Sequence, residues 1–167
     1  MTYAKANHLD SVRYEIRGKI ARKSYELRLL GVNILELNIG NPGAFDFRVP
    51  DNMNMAIIRN LDTAAAYSDS KGIFAAREAI VIDTQNQGIK NVDIEQVFIG
   101  NGVSELIMMS MEALLNPEDE ILIPSPDYPL WTAAATIANG KPRHYNCDAS
   151  NNWQPDLEHM ESLINEK

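Results

Sequence analysis

Two glycines in three residues, then a serine, open the apolar stretch "FIGNGVSELIMMSMEALL" at residues 98–115. Bare backbone at the start of a helix lets an anion approach unpaired N–H groups and the positive end of the helix dipole. Gly102, Val103 and Ser104 are therefore candidates for a phosphate seat, with the Ser104 hydroxyl as a further donor. A tight turn at Gly102 with Ser104 capping the helix accounts for the same residues equally well. The spacing is not G-x-G-x-x-G, because the third position falls on Glu105, and no G-K-[S/T] is present, so dinucleotide and ATP loops are disfavoured. A second constellation is "IPSPDYPLW" at residues 123–131. Pro124 and Pro126 stiffen a corner and Pro129 suits the first turn of a helix, which holds Tyr128 where its ring can stack on a flat ligand. Packing of Tyr128 and Trp131 into the core is the competing reading. In "AAAYSDSKG", residues 64–72, Tyr67 lies in a loop of small and polar residues. Its phenol is available to an anion or a partner subunit, or is a surface group without a role.

These residues need a frame. Apolar positions at Val12, Ile16, Ile20, Tyr25, Leu27 and Leu30 predict a helix over 10–30 that ends at Gly31. "NILELNIGNPG" reads as a short strand broken by Gly40, Pro42 and Gly43. A helix is expected from about Asp51, a loop over 63–72, and a helix over 73–87 stopped by Gly88. Strands at 95–100, 119–125 and 141–148 alternate with helices at 102–115 and about 129–138, and a last helix is expected beyond Pro155. Strand, helix, strand, helix, strand calls for an α/β fold with a parallel sheet. Three strands make a small sheet with an unpaired edge, so truncation is expected.

With 167 residues and 45% hydrophobic content the chain can build a core. Fifteen basic against twenty-three acidic residues, a net charge of −8, and no Lys/Arg stripe argue against nucleic acid as a partner. The single cysteine, Cys147, is consistent with a reducing compartment, and cytoplasm is the expectation. No apolar run marks a signal segment or a membrane span. No Ser/His/Asp or Cys/His set is apparent. His8, His144 and His159 read as structural, the last on the solvent side of the final helix. Met108, Met109 and Met111 read as core filler, and Glu118, Asp119 and Glu120 as a solvated turn rather than a metal site.

Five stretches in order resemble the N-terminal part of a class I/II aminotransferase, a pyridoxal-phosphate enzyme of fold type I, most similar to its alanine aminotransferase branch. They are "YEIRG" (14–18), "LNIGNPGAFDF" (37–47), "YSDSKGIFAAREAI" (67–80), "IGNGVSELI" (99–107) and "PSPDYPLWTAA" (124–134). The resemblance covers nearly the whole chain. It implies a partial three-layer large domain over 49–167, with parallel strands and flanking helices, preceded by an N-terminal segment over 1–48. It implies that Gly102, Val103 and Ser104 hold the phosphate of pyridoxal 5'-phosphate and that Tyr128 lies against its ring. Tyr67 would reach the phosphate of the other subunit in a homodimer, and Gly40 would lie beside the substrate carboxylate. "YEIRG" would cover the site, with Tyr14 near substrate. The "VIDTQNQGIK" segment is more polar than that branch leads one to expect.

The same resemblance places the Schiff-base lysine, the aspartate at the pyridine nitrogen and the substrate-carboxylate arginine beyond residue 167, and Lys71 matches none of them. These 167 residues are therefore expected not to transfer amino groups from alanine to a 2-oxo acid unaided. The alternative expectation is a non-catalytic interaction or regulatory module derived from an aminotransferase half.

Overall fold

The computed structural model describes residues 3–12, 14 and 18–165. Among the described residues there are six α-helices: α1 (Lys19–Leu29), α2 (Asp51–Asn60), α3 (Phe74–Asn86), α4 (Val103–Leu114), α5 (Leu130–Ile137) and α6 (Leu157–Leu163). Three strands accompany them: β1 (Glu120–Ser125), β2 (Lys141–Asp148) and the two-residue β3 (Gln154–Pro155). The chain divides into two compact units, one of residues 24–100 and one that joins 1–23 to 101–167.

In the unit containing 101–167, β1 and β2 run parallel, with Glu120 opposite Lys141 and Ser125 opposite Asn146. α5 makes the crossover between them, as a parallel pair requires. Its sequence, "LWTAAATI", buries Leu130 and three consecutive alanines, 133–135. Small side chains let the helix lie close to its neighbours. Ile107 and Met111 of α4, Ile123 of β1, and Leu130, Ala134 and Ala135 of α5 form the core, with Met108, Leu115, Ile121 and Ala138 packed against it. Removing one such Ile or Leu side chain from water is worth about 1.5–3 kcal/mol. Met108 and Met111 thus fill the core, whereas Met109 is 51% exposed. β3 pairs antiparallel with the end of β2. Asp156 caps α6: its Oδ1 accepts from the His159 N–H at 2.9 Å. In turn, His159 Nδ1 accepts from the Asn146 N–H at 3.1 Å. The imidazole is therefore half-buried and fastens α6 to β2, rather than facing solvent as expected.

The "NPEDE" turn before β1 has its carboxylates engaged. Asp119 Oδ2 accepts from the Asn116 N–H and side-chain amide. Glu118 pairs with Lys141 across the start of the sheet, and Glu120 lies 3.5 Å from Arg143.

The expected strand at 95–100 does not form as a ladder. Residues 94–96 make a single 3-10 turn capped by Asp93, and Val97 continues in extended backbone at φ −98° and ψ 124°. An apolar alternating segment becomes a strand only when another strand supplies hydrogen-bond partners. Among the described residues none runs beside it, and Ile99 N–H donates instead to the carbonyl of Lys71 at 2.9 Å. The short strand expected at "NILELNIGNPG" is likewise irregular, passing into a 3-10 turn over Pro42–Phe45. The helix expected over 10–30 is confined to α1; a 3-10 turn occupies Asn7–Asp10, and Ile16 is outside the described residues. Gly31, at φ +81°, ends α1 as expected.

Candidate functional site

α4 starts directly after Gly102, which has φ +96° and ψ 164°. That region of backbone space is essentially reserved to glycine. No side chain caps the helix, and the first intrahelical bond runs from Leu106 N–H to the Gly102 carbonyl at 3.3 Å. The N–H groups of Val103 and Ser104 therefore precede any intrahelical acceptor. Nothing lies within 4 Å of the position a Cβ on Gly102 would take. The first-turn carboxylate, Glu105, turns back to accept from the Asn101 N–H. Of the two readings of "GNGVS", a serine-capped helix is not what forms; the N-terminus is open, at the positive end of the helix dipole.

Tyr128 lies on the corner between β1 and α5. The corner begins with a cis Ser125–Pro126 peptide. Pro129, at φ −55° and ψ −17°, leads into α5, and the Tyr128 carbonyl accepts from the Trp131 N–H at 3.1 Å. Tyr128 is 47% exposed, so its ring is available rather than absorbed in the core. The Tyr14 hydroxyl is 3.2 Å from the Tyr128 hydroxyl, while Glu15, Ile16 and Arg17 of "YEIRG" lie outside the described residues.

A bonded chain behind the corner was not foreseen from sequence. Thr132 Oγ1 donates to Asp127 Oδ2 at 3.0 Å and lies 2.8 Å from His144 Nε2. A hydroxyl has one proton, so the threonine that donates to Asp127 accepts from His144, which fixes the proton on Nε2. Asp127, the neighbour of Tyr128, is thereby tied through α5 to β2. The signal in sequence was only an Asp five residues before a Thr, which is too common to single out.

Gly102, Val103, Ser104, Tyr128 and Tyr14 belong to one unit, in which α4 packs on α5. Gly40 and Tyr67 belong to the other. Gly40 lines a cavity of about 380 Å³ with Leu37, Ile39, Pro42, Phe45 and Phe47. Tyr67 is fully exposed on its loop. Lys71 is committed elsewhere: its Nζ donates to Glu95 Oε2 at 2.8 Å and the Glu95 carbonyl at 3.0 Å, and stands 5.1 Å from the centre of the Phe98 ring. The Lys71 ammonium, and Arg77 beside it, hold the Glu95 carboxyl below its ordinary pKa.

An open, glycine-led helix N-terminus, an aromatic corner at the end of a parallel strand and a helix packed on the crossover helix are what the resemblance to the first part of a fold type I large domain leads one to expect. The sequence profile of "Aminotransferase class I and II" matches residues 32–167. Glutamate-pyruvate aminotransferase AlaA of Escherichia coli K12 is 49% identical over 160 residues, which are 96% of this chain and 40% of that protein. Alanine aminotransferase of Mycobacterium bovis is 48% identical over 166 residues, 99% of this chain and 39% of its own length. Among solved structures, an aminotransferase from Escherichia coli superposes with a TM-score of 0.90 at 47% identity, covering 99% of this chain and 41% of the other. Alanine aminotransferase from Pyrococcus furiosus gives 0.88 at 32% identity, covering 97% and 41%. The chain thus belongs to the class I and II aminotransferases, and it spans about 40% of the length of these relatives.

Proposed function

We propose that these residues form part of a pyridoxal-phosphate-dependent aminotransferase that moves an amino group between an amino acid such as alanine and a 2-oxo acid such as 2-oxoglutarate. The observation that carries the reading is the open turn at Gly102, where an exposed, uncapped helix start coincides with empty space at the Cβ position. The donor set suits a phosphate: neutral N–H groups and a hydroxyl, at the positive end of a helix dipole. In this reading Val103 and Ser104 hold the phosphate and the Tyr128 ring lies against the pyridine, its corner held by Asp127, Thr132 and His144. Gly40 leaves room beside the substrate carboxylate. Tyr67 extends to the phosphate of a second copy in a homodimer. When bound, the cofactor supplies an electron sink for charge at the substrate's α-carbon. The residues of this chain bind and orient; none of them is assigned to move the proton there. Lys71, held by Glu95 and Phe98, is not assigned to bond the cofactor. That relatives of this chain are alanine aminotransferases supports alanine as the amino donor. A cytoplasmic location belongs to the same reading.

Binding of pyridoxal phosphate and of pyridoxal to the purified 167-residue chain separates this reading from its rivals. Weak binding that depends on the phosphate is expected, with no pyruvate formed from alanine and 2-oxoglutarate. Equal affinity for the two ligands would overturn the phosphate seat, and pyruvate formation by these residues alone would overturn the assignment of the acid/base to other residues.

A further inference from the structure

Arg77 of α3 is 5% exposed, and among the described residues it is the buried charged side chain. A buried guanidinium must be paired or it costs several kcal/mol, and every partner of this one lies outside the α-helices and strands, on the 69–72 loop or the 3-10 turn at 94–96. Nε donates to the Gly72 carbonyl at 3.1 Å and Nη1 to the Ile94 carbonyl at 3.3 Å. Nη1 is 3.5 Å from Glu95 Oε1 and Nη2 is 3.6 Å from Asp69 Oδ2. Asp69 in turn organises its own loop: Oδ1 accepts from the Lys71 N–H at 2.8 Å, and its carbonyl accepts from the Gly72 N–H at 2.9 Å. The Lys71 carbonyl then accepts from the Ile99 N–H at 2.9 Å. The loop from Tyr67 to Gly72 is thus gripped at Asp69, Lys71 and Gly72, while Tyr67, two residues before the first grip, stands fully in solvent.

We propose that Arg77 is a positioning residue for Tyr67, acting through the Asp69–Gly72 segment to aim the phenol at the phosphate of a partner copy. The proposal rests on the reading of Tyr67 given under Proposed function. A guanidinium suits the task because its planar fork reaches two carbonyls and two carboxylates on separate segments at once, which a lysine ammonium does not reproduce. An exposed phenol on an ungripped loop would sample many directions, and ordering it on binding would cost affinity.

The test uses Arg77→Lys, Asp69→Asn, Tyr67→Phe and the double variant Arg77→Lys/Tyr67→Phe. Two quantities are read: hydrogen exchange at the amides of Lys71, Gly72 and Ile99, and the ratio of affinities for pyridoxal phosphate over pyridoxal. A merely structural arginine would alter stability and leave that ratio native. Arg77→Lys and Asp69→Asn are expected to speed exchange at the three amides about tenfold, without change in α5, and to lower the ratio toward that of Tyr67→Phe. The double variant is expected to be no worse than Tyr67→Phe alone, because both changes remove one interaction. Native exchange, or faster exchange with a native ratio while Tyr67→Phe lowers it, overturns the role of Arg77 alone. A native ratio in Tyr67→Phe overturns the reading of Tyr67, and the proposal with it. Asp69 is 54% exposed at its side chain, so Asp69→Asn carries the test should Arg77→Lys fail to fold.

Discussion

A glycine is worth most where its backbone goes where no other residue follows, and Gly102 is such a position. Its φ of +96° and ψ of 164° would cost an alanine about 1–3 kcal/mol. Because the space around its Cβ is open, the penalty comes from the backbone alone, and the turn relieves it by swinging the first amides of α4. Gly102→Ala is therefore expected to weaken pyridoxal-phosphate binding about tenfold or more while leaving pyridoxal binding unchanged, read by fluorescence titration. Uniform loss for both ligands would place the glycine's role in folding instead. The glycine was legible in sequence because an apolar helix pattern begins at the next residue. Ser104 was legible as a residue, but whether it caps the helix was not; the structure shows α4 without a side-chain cap. Arg77 and His159 were not legible. A polar side chain within a helical pattern says nothing about its hydrogen-bond partners, which in these cases lie 5–18 and 13 residues away.

At the scale of elements, helices and their stops could be read from sequence because both are local: α4 is a strongly apolar run led by Gly102, and Gly88, at φ +88°, follows the end of α3. Strands are not local. β1 and β2 were legible as a pair bridged by a helix, whereas residues 97–100 carry the same apolar signature without the ladder. What holds that segment is its approach to Gly72. A Cβ built there would meet Ile99 Cβ at 2.7 Å, and the glycine itself has φ +103°. Backbone strain and overpacking against a β-branched stem act together, so Gly72→Ala is expected to cost about 2–4 kcal/mol, measured by urea denaturation. A cost below 0.5 kcal/mol would show that the two segments separate freely. The same contact region responds to acid. Hydrogen bonding and charge from Lys71 lower the folded-state pKa of Glu95, so its contribution is fully present above the unfolded-state value and is lost as pH falls through the lowered folded value. Exchange at the Ile99 amide should therefore rise as the solution passes below the ordinary carboxylate range, and Glu95→Gln should flatten that rise. An unchanged pH profile in Glu95→Gln would overturn the assignment of that response to Glu95.

Taken whole, the chain exposes 14041 Å², where a compact protein of 18.7 kDa exposes about 8,300 Å². The unfolded chain would expose about 27,000 Å² on the same scaling, so folding buries about 13,000 Å² instead of about 19,000 Å². Much of the remainder is apolar: Ile57 and Ile58 of α2, Phe74 and Ile82 of α3 and Phe98 are each more than half exposed. Patches of this extent on a soluble protein mark surfaces meant to be covered. Denaturant sensitivity scales with the area that unfolding exposes. The 167-residue chain alone should therefore unfold in urea with an m-value about two-thirds of that normal for its length, bind a hydrophobic dye in its native state, and associate as concentration rises. Ile58→Lys, at a position 59% exposed, should reduce association while changing stability by less than about 0.5 kcal/mol. A monomer with a full m-value and no dye binding would mean that the chain by itself folds to bury what is exposed here. The cover would then be internal to the chain.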